Sequence, residues 1–166
     1  LLDKINIEKG TVCVEETEYP LKDVSFPTID WEDPYRLSED EADVMERLVT
    51  AFVNCEKLQR HVRFLYTQGS LYKVYNGNLL YHGCVPLNED GTFTRVNVFG
   101  KEYAGKELYD VLEGYARKGY YAIDPKEKKK GQDILWFIWE NQNSPVFGKA
   151  KMTTFERYFI ADKKTH

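Results

Sequence analysis

Apolar residues recur three or four positions apart from Val44 to Leu65, a spacing that places them on one face of an α-helix. Just before this pattern, Ser38 and Glu41 match the S-x-x-E capping box, in which two side chains bond free amides at the first helical turn. A single helix over the whole pattern would be about 45 Å long. Because that is long for a single domain, we predict a break near Asn54.

The segment before the capping box has a different pattern. Residues 4–14 alternate between apolar and polar types around a Glu-Lys-Gly turn, which predicts a small β-hairpin. The residues that follow, up to Leu37, contain three prolines and many acidic side chains and predict a surface connection. We therefore divide the chain into residues 1–37, a hairpin with a wrapping loop, and residues 38–166, the main folded part.

A second hairpin is predicted in the middle of the chain. Asn76-Gly77 is the strongest two-residue signal for a type I′ turn, because both positions of that turn require positive φ. The flanking strands would be Leu71–Tyr75 and Asn78–His82. The second strand thus ends on an imidazole followed at once by Gly83, which places a polar side chain at the rim of a sheet.

The remaining elements complete an α+β pattern. We predict a second ribbon from Phe93–Phe99 continuing past Gly100, a helix over Lys106–Lys118, a loop at the basic run Lys126–Lys130, a fully buried segment at Asp133–Trp139, and a last short helix capped by Thr153-Thr154.

Length and charge limit the possible functions. The chain has 166 residues, which suits one domain, and its net charge of −4 gives no support for a nucleic-acid or anionic-membrane partner. The three cysteines are widely spaced, which favours free thiols in a reducing compartment, so we expect a cytoplasmic protein. The chain begins without methionine and ends in a charged tail, so we expect a piece of a longer polypeptide.

Common catalytic motifs are missing from the sequence. There is no nucleophile elbow, no glycine-rich phosphate loop, no H-E-x-x-H and no dinucleotide fingerprint. His82 is the most suggestive residue, because sheet rims are where metal and substrate sites collect. The alternative is a packed histidine that bonds to the backbone. The residues alone therefore do not name a reaction.

Two long segments resemble a known family. The run EKLQRHVRFLYTQGSLYKVYNGNLLYHGCVPLNEDG and the run FGKAKMTTFERYFIADKKTH resemble the class III fructose-1,6-bisphosphatases of bacteria. That family is similar to the calcineurin-like metallophosphoesterases, which are built as a two-sheet sandwich with flanking helices. The resemblance therefore implies that residues 38–166 are the middle to C-terminal portion of such a phosphatase domain.

The resemblance also implies a role for His82. In the superfamily, a histidine in an H-G-x motif after a strand binds one of two metal ions, and His82-Gly83-Cys84 corresponds to it. The other metal motifs, D-x-H, G-D-x-x-D-R-G, G-N-H-[DE] and a closing G-H, do not occur in the chain. We therefore expect most of the metal site to lie elsewhere in a larger enzyme, and the isolated segment to be inactive.

The implied reaction is hydrolysis of fructose 1,6-bisphosphate to fructose 6-phosphate and phosphate in gluconeogenesis, with a hydroxide activated by two Mn²⁺ ions. Lys149 and Arg157 are candidate phosphate contacts, although Lys149 also suits a solvated loop and Arg157 a surface ion pair. Two other interpretations stay open. One is a metallophosphoesterase acting on phosphoprotein or nucleotide. The other is a non-catalytic oligomerisation or regulatory module. The expected partners are a sugar bisphosphate, the rest of the parent polypeptide and, through exposed apolar surface, further copies of the segment.

Overall fold

The computed structural model describes residues 2–151 and 153–161, and helices and strands are mixed along them. A short 3₁₀ turn covers Leu2–Lys4. The strands are β1 (Ile5–Asn6), β2 (Thr11–Val14), β3 (Thr17–Pro20), β4 (Tyr72–Tyr75), β5 (Asn78–Tyr81), β6 (Val96–Val98) and β7 (Lys101–Tyr103). The helices are α1 (Glu39–Val53), α2 (Glu56–Gln68), α3 (Gly105–Tyr121), α4 (Pro125–Glu140) and α5 (Thr154–Phe159). The two-sheet sandwich stays a prediction.

The chain forms two compact units, one of residues Leu1–Gln59 with Thr153–His166 and the other of Arg60–Met152. In the first unit, β2 pairs antiparallel with both β1 and β3. The hairpin predicted over residues 4–14 is therefore present, and β3 adds a strand where only a connection was expected. The division at residue 37 stays a prediction.

Helix α1 begins as its sequence predicts. The Glu41 amide donates to Ser38 Oγ at 3.3 Å, and the Ser38 amide donates to Glu41 Oε2 at 2.8 Å, so both bonds of the capping box are made. The helix ends at Val53 with Asn54 as its C-cap, which confirms the predicted break. No residue of α1 is buried, and its apolar side chains are exposed, with Phe52 at 63%.

The second unit is built on helices α3 and α4, which pack against each other. Their apolar faces enclose a core with the ribbon β6–β7. The buried core residues are Val96, Val98, Leu108, Leu112 and Ile134. Helix α3 covers the predicted range and extends three residues beyond it, to Tyr121. The last helix, α5, is also present, but the Thr153 side chain makes no capping hydrogen bond.

Helix α4 corrects two predictions. The basic run Lys126–Lys130 is not a loop but the first turns of α4, where Asp124 caps the helix by accepting a bond from the Lys126 amide at 2.7 Å. Asp133–Trp139 is not buried on all sides, because it is helical and one face points outward. Within it Ile134 is 6% exposed, whereas Trp136 is 61% exposed. Neither α4 nor any other helix of the described residues is long and apolar enough to cross a membrane.

Candidate functional site

The hairpin β4–β5 presents His82 at its open end. Asn76 and Gly77 have φ values of 49° and 73°, as a type I′ turn requires, and Tyr75 pairs with Asn78 as predicted. The last cross-strand pair is Tyr72 with Tyr81, so each strand is one residue shorter at this end than predicted. His82 is therefore the first residue beyond β5, and it is exposed.

Gly83 explains why the imidazole is followed by glycine. A Cβ atom built on Gly83 would lie 2.8 Å from the Val146 carbonyl oxygen and nearer still to the Pro145 oxygen. Side chains do not tolerate contacts this close. The next residue, Cys84, donates its backbone N–H to the Pro145 oxygen at 2.9 Å. Only a glycine lets these two chain segments meet directly after His82.

The loop that receives Gly83 is held in shape by Ser144. This side chain is 0% exposed, and its hydroxyl donates to the Ile138 carbonyl at 2.6 Å. It also accepts bonds from the amides of Val146 at 3.1 Å and Phe147 at 3.2 Å. A single buried hydroxyl thus satisfies three backbone groups after α4 ends. No sequence motif points to Ser144, although the run Asn141 to Pro145 is rich in turn-forming residues.

Helix α3 bonds to the same segment from the other side. The Tyr109 hydroxyl donates to the Cys84 carbonyl at 2.7 Å, and Tyr109 is only 5% exposed. Burial, with the neighbouring Cys84 and Tyr81, raises the pKa of Tyr109 to about 12, so the phenol keeps its proton at neutral pH. Tyr109 was also missed, but its spacing to Leu112 and Ala116 is the i, i+3, i+7 pattern of a buried helix face.

The start of the hairpin is also fixed by α3. Glu113 accepts a bond from Ser70 Oγ at 2.6 Å and from the Leu71 amide at 2.9 Å, and it pairs with Arg117 at 2.6 Å. Burial alone would raise the pKa of Glu113, but these hydrogen bonds and Arg117 together hold it below its ordinary value. Arg117 also donates to the carbonyls of Tyr66 and Gly69 at the end of α2. Both ends of the hairpin are therefore held by one helix.

The two phosphate candidates differ in where they lie. Lys149 is exposed, with its Nζ 6.0 Å from the centroid of the Phe147 ring. It follows Gly148, where an added Cβ would lie 3.9 Å from the Gly83 Cα, so the segments that carry His82 and Lys149 run side by side. Arg157 is exposed on α5 in the other unit. Within the second unit, the structure thus places the segments that carry His82 and Lys149 next to each other.

The local chemistry suits one metal ligand. An imidazole nitrogen is a common ligand of transition metals, and the His82 ring is exposed next to a backbone contact that leaves no room for a side chain at Gly83. In the described part of the chain, no three histidine, cysteine, aspartate or glutamate side chains lie close enough together to hold an ion. A role of His82 as a metal ligand therefore stays a prediction.

Comparison with known proteins decides the family. The whole chain, residues 1–166, matches the family described as Firmicute fructose-1,6-bisphosphatase. The chain belongs to this family. The resemblance noted in the sequence is thereby confirmed.

Curated relatives carry the corresponding name. The chain is 53% identical over 167 residues to "Fructose-1,6-bisphosphatase class 3" of Clostridium tetani and 54% identical to the protein of that name from Clostridium botulinum strain Langeland. Each match includes 100% of this chain but 25% of the relative, so the chain spans about a quarter of the length of the curated relatives it matches. No solved structure is significantly similar to the chain.

Proposed function

We propose that this chain is part of a fructose-1,6-bisphosphatase that hydrolyses fructose 1,6-bisphosphate to fructose 6-phosphate and phosphate in gluconeogenesis. The observation that carries the proposal is the identity of 53–54% to class 3 fructose-1,6-bisphosphatases over the whole chain. We place it in a calcineurin-like sandwich completed by the rest of the parent polypeptide. The three free thiols, Cys13, Cys55 and Cys84, fit a reducing compartment, so we propose the cytoplasm.

His82 supplies a neutral imidazole nitrogen to one of two divalent ions, for which we propose Mn²⁺. When bound, such ions activate water as a nucleophile and offset the negative charge of the phosphoryl group. The contact of Gly83 with Pro145 and Val146 fixes where the His82 backbone leaves the hairpin. Because the backbone of His82 is already fixed, the residue loses less conformational entropy when its imidazole binds a metal ion.

Lys149 and Arg157 are proposed to contact phosphate oxygens. An ammonium acts as a point charge, whereas a guanidinium can bond two phosphate oxygens at once. Lys149 is better supported, because its segment runs beside that of His82. In the full-length enzyme, Lys149→Met is expected to raise KM for the bisphosphate, whereas Lys128→Met on the exposed side of α4 leaves it unchanged.

The proposal is tested in the full-length enzyme with His82→Ala and His61→Ala, because both histidines are exposed. His82→Ala is expected to lower bound manganese and activity together, and His61→Ala to preserve both. Full manganese content in the His82 variant would contradict the metal role. A panel of phosphate esters, including phosphoprotein and nucleotide, tests the substrate. Preference for either over the sugar bisphosphate would favour another metallophosphoesterase.

An interface role has its own support. Trp136 and Trp139 on α4 and the apolar face of α1 are exposed, and such surface commonly marks a contact with protein. A non-catalytic module would keep its oligomeric state and its metal content when His82 is replaced. The same two variants therefore separate this interpretation from the enzymatic one.

A further inference from the structure

The hairpin that carries His82 is only loosely packed between its ends. All residues of β5 and three of the four in β4 are exposed. A pocket of about 350 Å³, lined mainly by apolar side chains such as Val74 and Leu79, lies between the middle of the hairpin and α3. The Tyr72 ring at the start of β4 does contact the Tyr109 ring, with 5.6 Å between the ring centroids. Close packing fixes a side chain only where atoms touch. The position of the hairpin must therefore depend on contacts at its two ends.

Contacts at the His82 end converge on Cys84. Its backbone N–H donates to the Pro145 oxygen at 2.9 Å, and its carbonyl accepts from Tyr109 at 2.7 Å. The Sγ atom of Cys84 lies 3.7 Å from the Ser144 carbonyl oxygen. Both backbone groups of the residue that lies two positions after His82 are thus held, one by the loop after α4 and one by α3.

We propose that Tyr109 is a positioning residue for His82: by holding the Cys84 carbonyl, its hydroxyl sets the direction in which the imidazole meets the metal ion. This inference rests on the proposed role of His82 as a ligand. A buried phenol needs a hydrogen-bond partner, and this one is the Cys84 carbonyl. A ring needed for packing alone would be served equally well by phenylalanine, so the hydroxyl is the part to test.

The test compares Tyr109→Phe with Tyr115→Phe in the full-length enzyme. Tyr115 lies on the same helix and contacts the Phe99 ring, which the control variant keeps. Tyr109→Phe is expected to weaken Mn²⁺ binding about threefold to tenfold, the worth of one lost hydrogen bond. Equilibrium dialysis of metal-free enzyme measures this affinity without relying on turnover. Tyr115→Phe should bind Mn²⁺ as the wild type does, and melting temperatures verify that both variants are folded.

A double-mutant cycle of Tyr109→Phe and His82→Ala separates the positioning role of Tyr109 from the metal-binding role of His82. If Tyr109 acts through His82, its substitution has no further effect on Mn²⁺ affinity once His82 is gone. If Tyr109→Phe lowers Mn²⁺ affinity equally in the wild type and in the His82→Ala variant, the positioning role is overturned. Wild-type Mn²⁺ affinity in Tyr109→Phe, together with weakened Mn²⁺ binding in His82→Ala, also overturns the positioning role and leaves the metal role of His82 intact. Wild-type affinity in His82→Ala overturns the metal role itself.

A second variant keeps the test decisive if Tyr109→Phe does not fold. Ser144→Ala removes the hydroxyl that shapes the loop on the other side of Cys84. It is expected to weaken Mn²⁺ binding in the same direction, and by a similar factor, because it loosens the second bond that holds Cys84. Unchanged affinity in a folded Ser144 variant would count against positioning through Cys84.

Discussion

Gly119 of α3 and Gly131 of α4 are in backbone contact. A Cβ built on Gly119 would lie 2.8 Å from the carbonyl carbon of Gly131, and one built on Gly131 would lie less than 3.0 Å from the Gly119 amide nitrogen. Both glycines are buried in helices, where glycine is otherwise unfavourable. The close approach of the two helices depends on the absence of both side chains.

Gly131→Ala is therefore expected to destabilise the protein. The added methyl group must separate the two helices, and overpacking of this kind lowers the free energy of unfolding by about 1–3 kcal/mol. Gly114→Ala is the matched control, because Gly114 is an exposed residue of α3 with open space around it. The control should stabilise by about 0.5–1 kcal/mol through helix propensity. Urea denaturation measures the free energy of unfolding of both variants. Equal changes for Gly131→Ala and Gly114→Ala would contradict the close contact of the two helices at Gly131.

Gly83→Ala is expected to displace His82. Its methyl group would overlap the Pro145 and Val146 carbonyl oxygens, so the backbone at Gly83 must move away from the loop after α4. We expect Mn²⁺ affinity of the full-length enzyme to fall about tenfold, the lower end of what a misplaced ligand environment costs. Gly114→Ala again serves as the control. Wild-type manganese affinity in a folded Gly83 variant would show that the contact does not matter for the site.

The lowered pKa of Glu113 makes the free energy of unfolding depend on pH. Its pKa in the folded protein lies below the ordinary value of 4.5, so its ionised form adds stability above that pH. This contribution is lost as the pH falls through the lowered folded-state pKa.

The substitution Glu113→Gln tests this dependence. At neutral pH it should lower the free energy of unfolding by about 1–3 kcal/mol, because a charged hydrogen-bonding group is lost. The variant should then lose less stability than the wild type on acidification below pH 4.5. Glu102→Gln is the charge-matched control, because Glu102 is an exposed residue of β7. Parallel stability curves for the Glu113 variant and the wild type would refute the assignment.

The isolated 166-residue chain is expected to self-associate. Trp136 and Trp139 are 61% and 58% exposed, and their ring centroids lie 5.0 Å apart, which forms an apolar patch on α4. Replacing both with glutamine should lower the apparent mass in sedimentation equilibrium. Trp31→Gln is a control in the other unit, since Trp31 is 45% exposed. A clean monomer over a wide concentration range would rule out this association.

Local signals in the sequence were reliable where a structure depends on a few neighbouring residues. The capping box at Ser38 and the Asn76-Gly77 turn each specify their geometry within four residues, and both appear as predicted. The loop predicted at Lys126–Lys130 is wrong, because Asp124 caps a helix and Pro125 begins it, and a run of charged side chains is compatible with an exposed helical face. The burial expected for Asp133–Trp139 failed because helical periodicity turns Trp136 outward.

Most of the candidate site could not be predicted from the sequence. His82 was selected by its position after a strand and by the resemblance, but the groups that hold it come from distant parts of the chain. Tyr109 is 25 residues from Cys84, and Ser144 is 60 residues from it. Contacts over such separations leave no fixed spacing in the sequence. Only the folded arrangement shows that a tyrosine and a serine hold one backbone segment.

These sequence separations also affect the order of folding. Helices α3 and α4 are consecutive and meet through Gly119 and Gly131, only a dozen positions apart, so closing this contact costs little chain entropy. The bonds to Cys84 close longer loops, of 25 residues to Tyr109 and about 60 to the loop after α4, and we expect them to form later. The pair of helices α3 and α4 is thus expected to nucleate folding. The segment from His82 to Cys84 is expected to unfold locally while the two helices stay folded. In native-state hydrogen exchange, the Cys84 amide should exchange faster than the amides of Leu112 and Ile134.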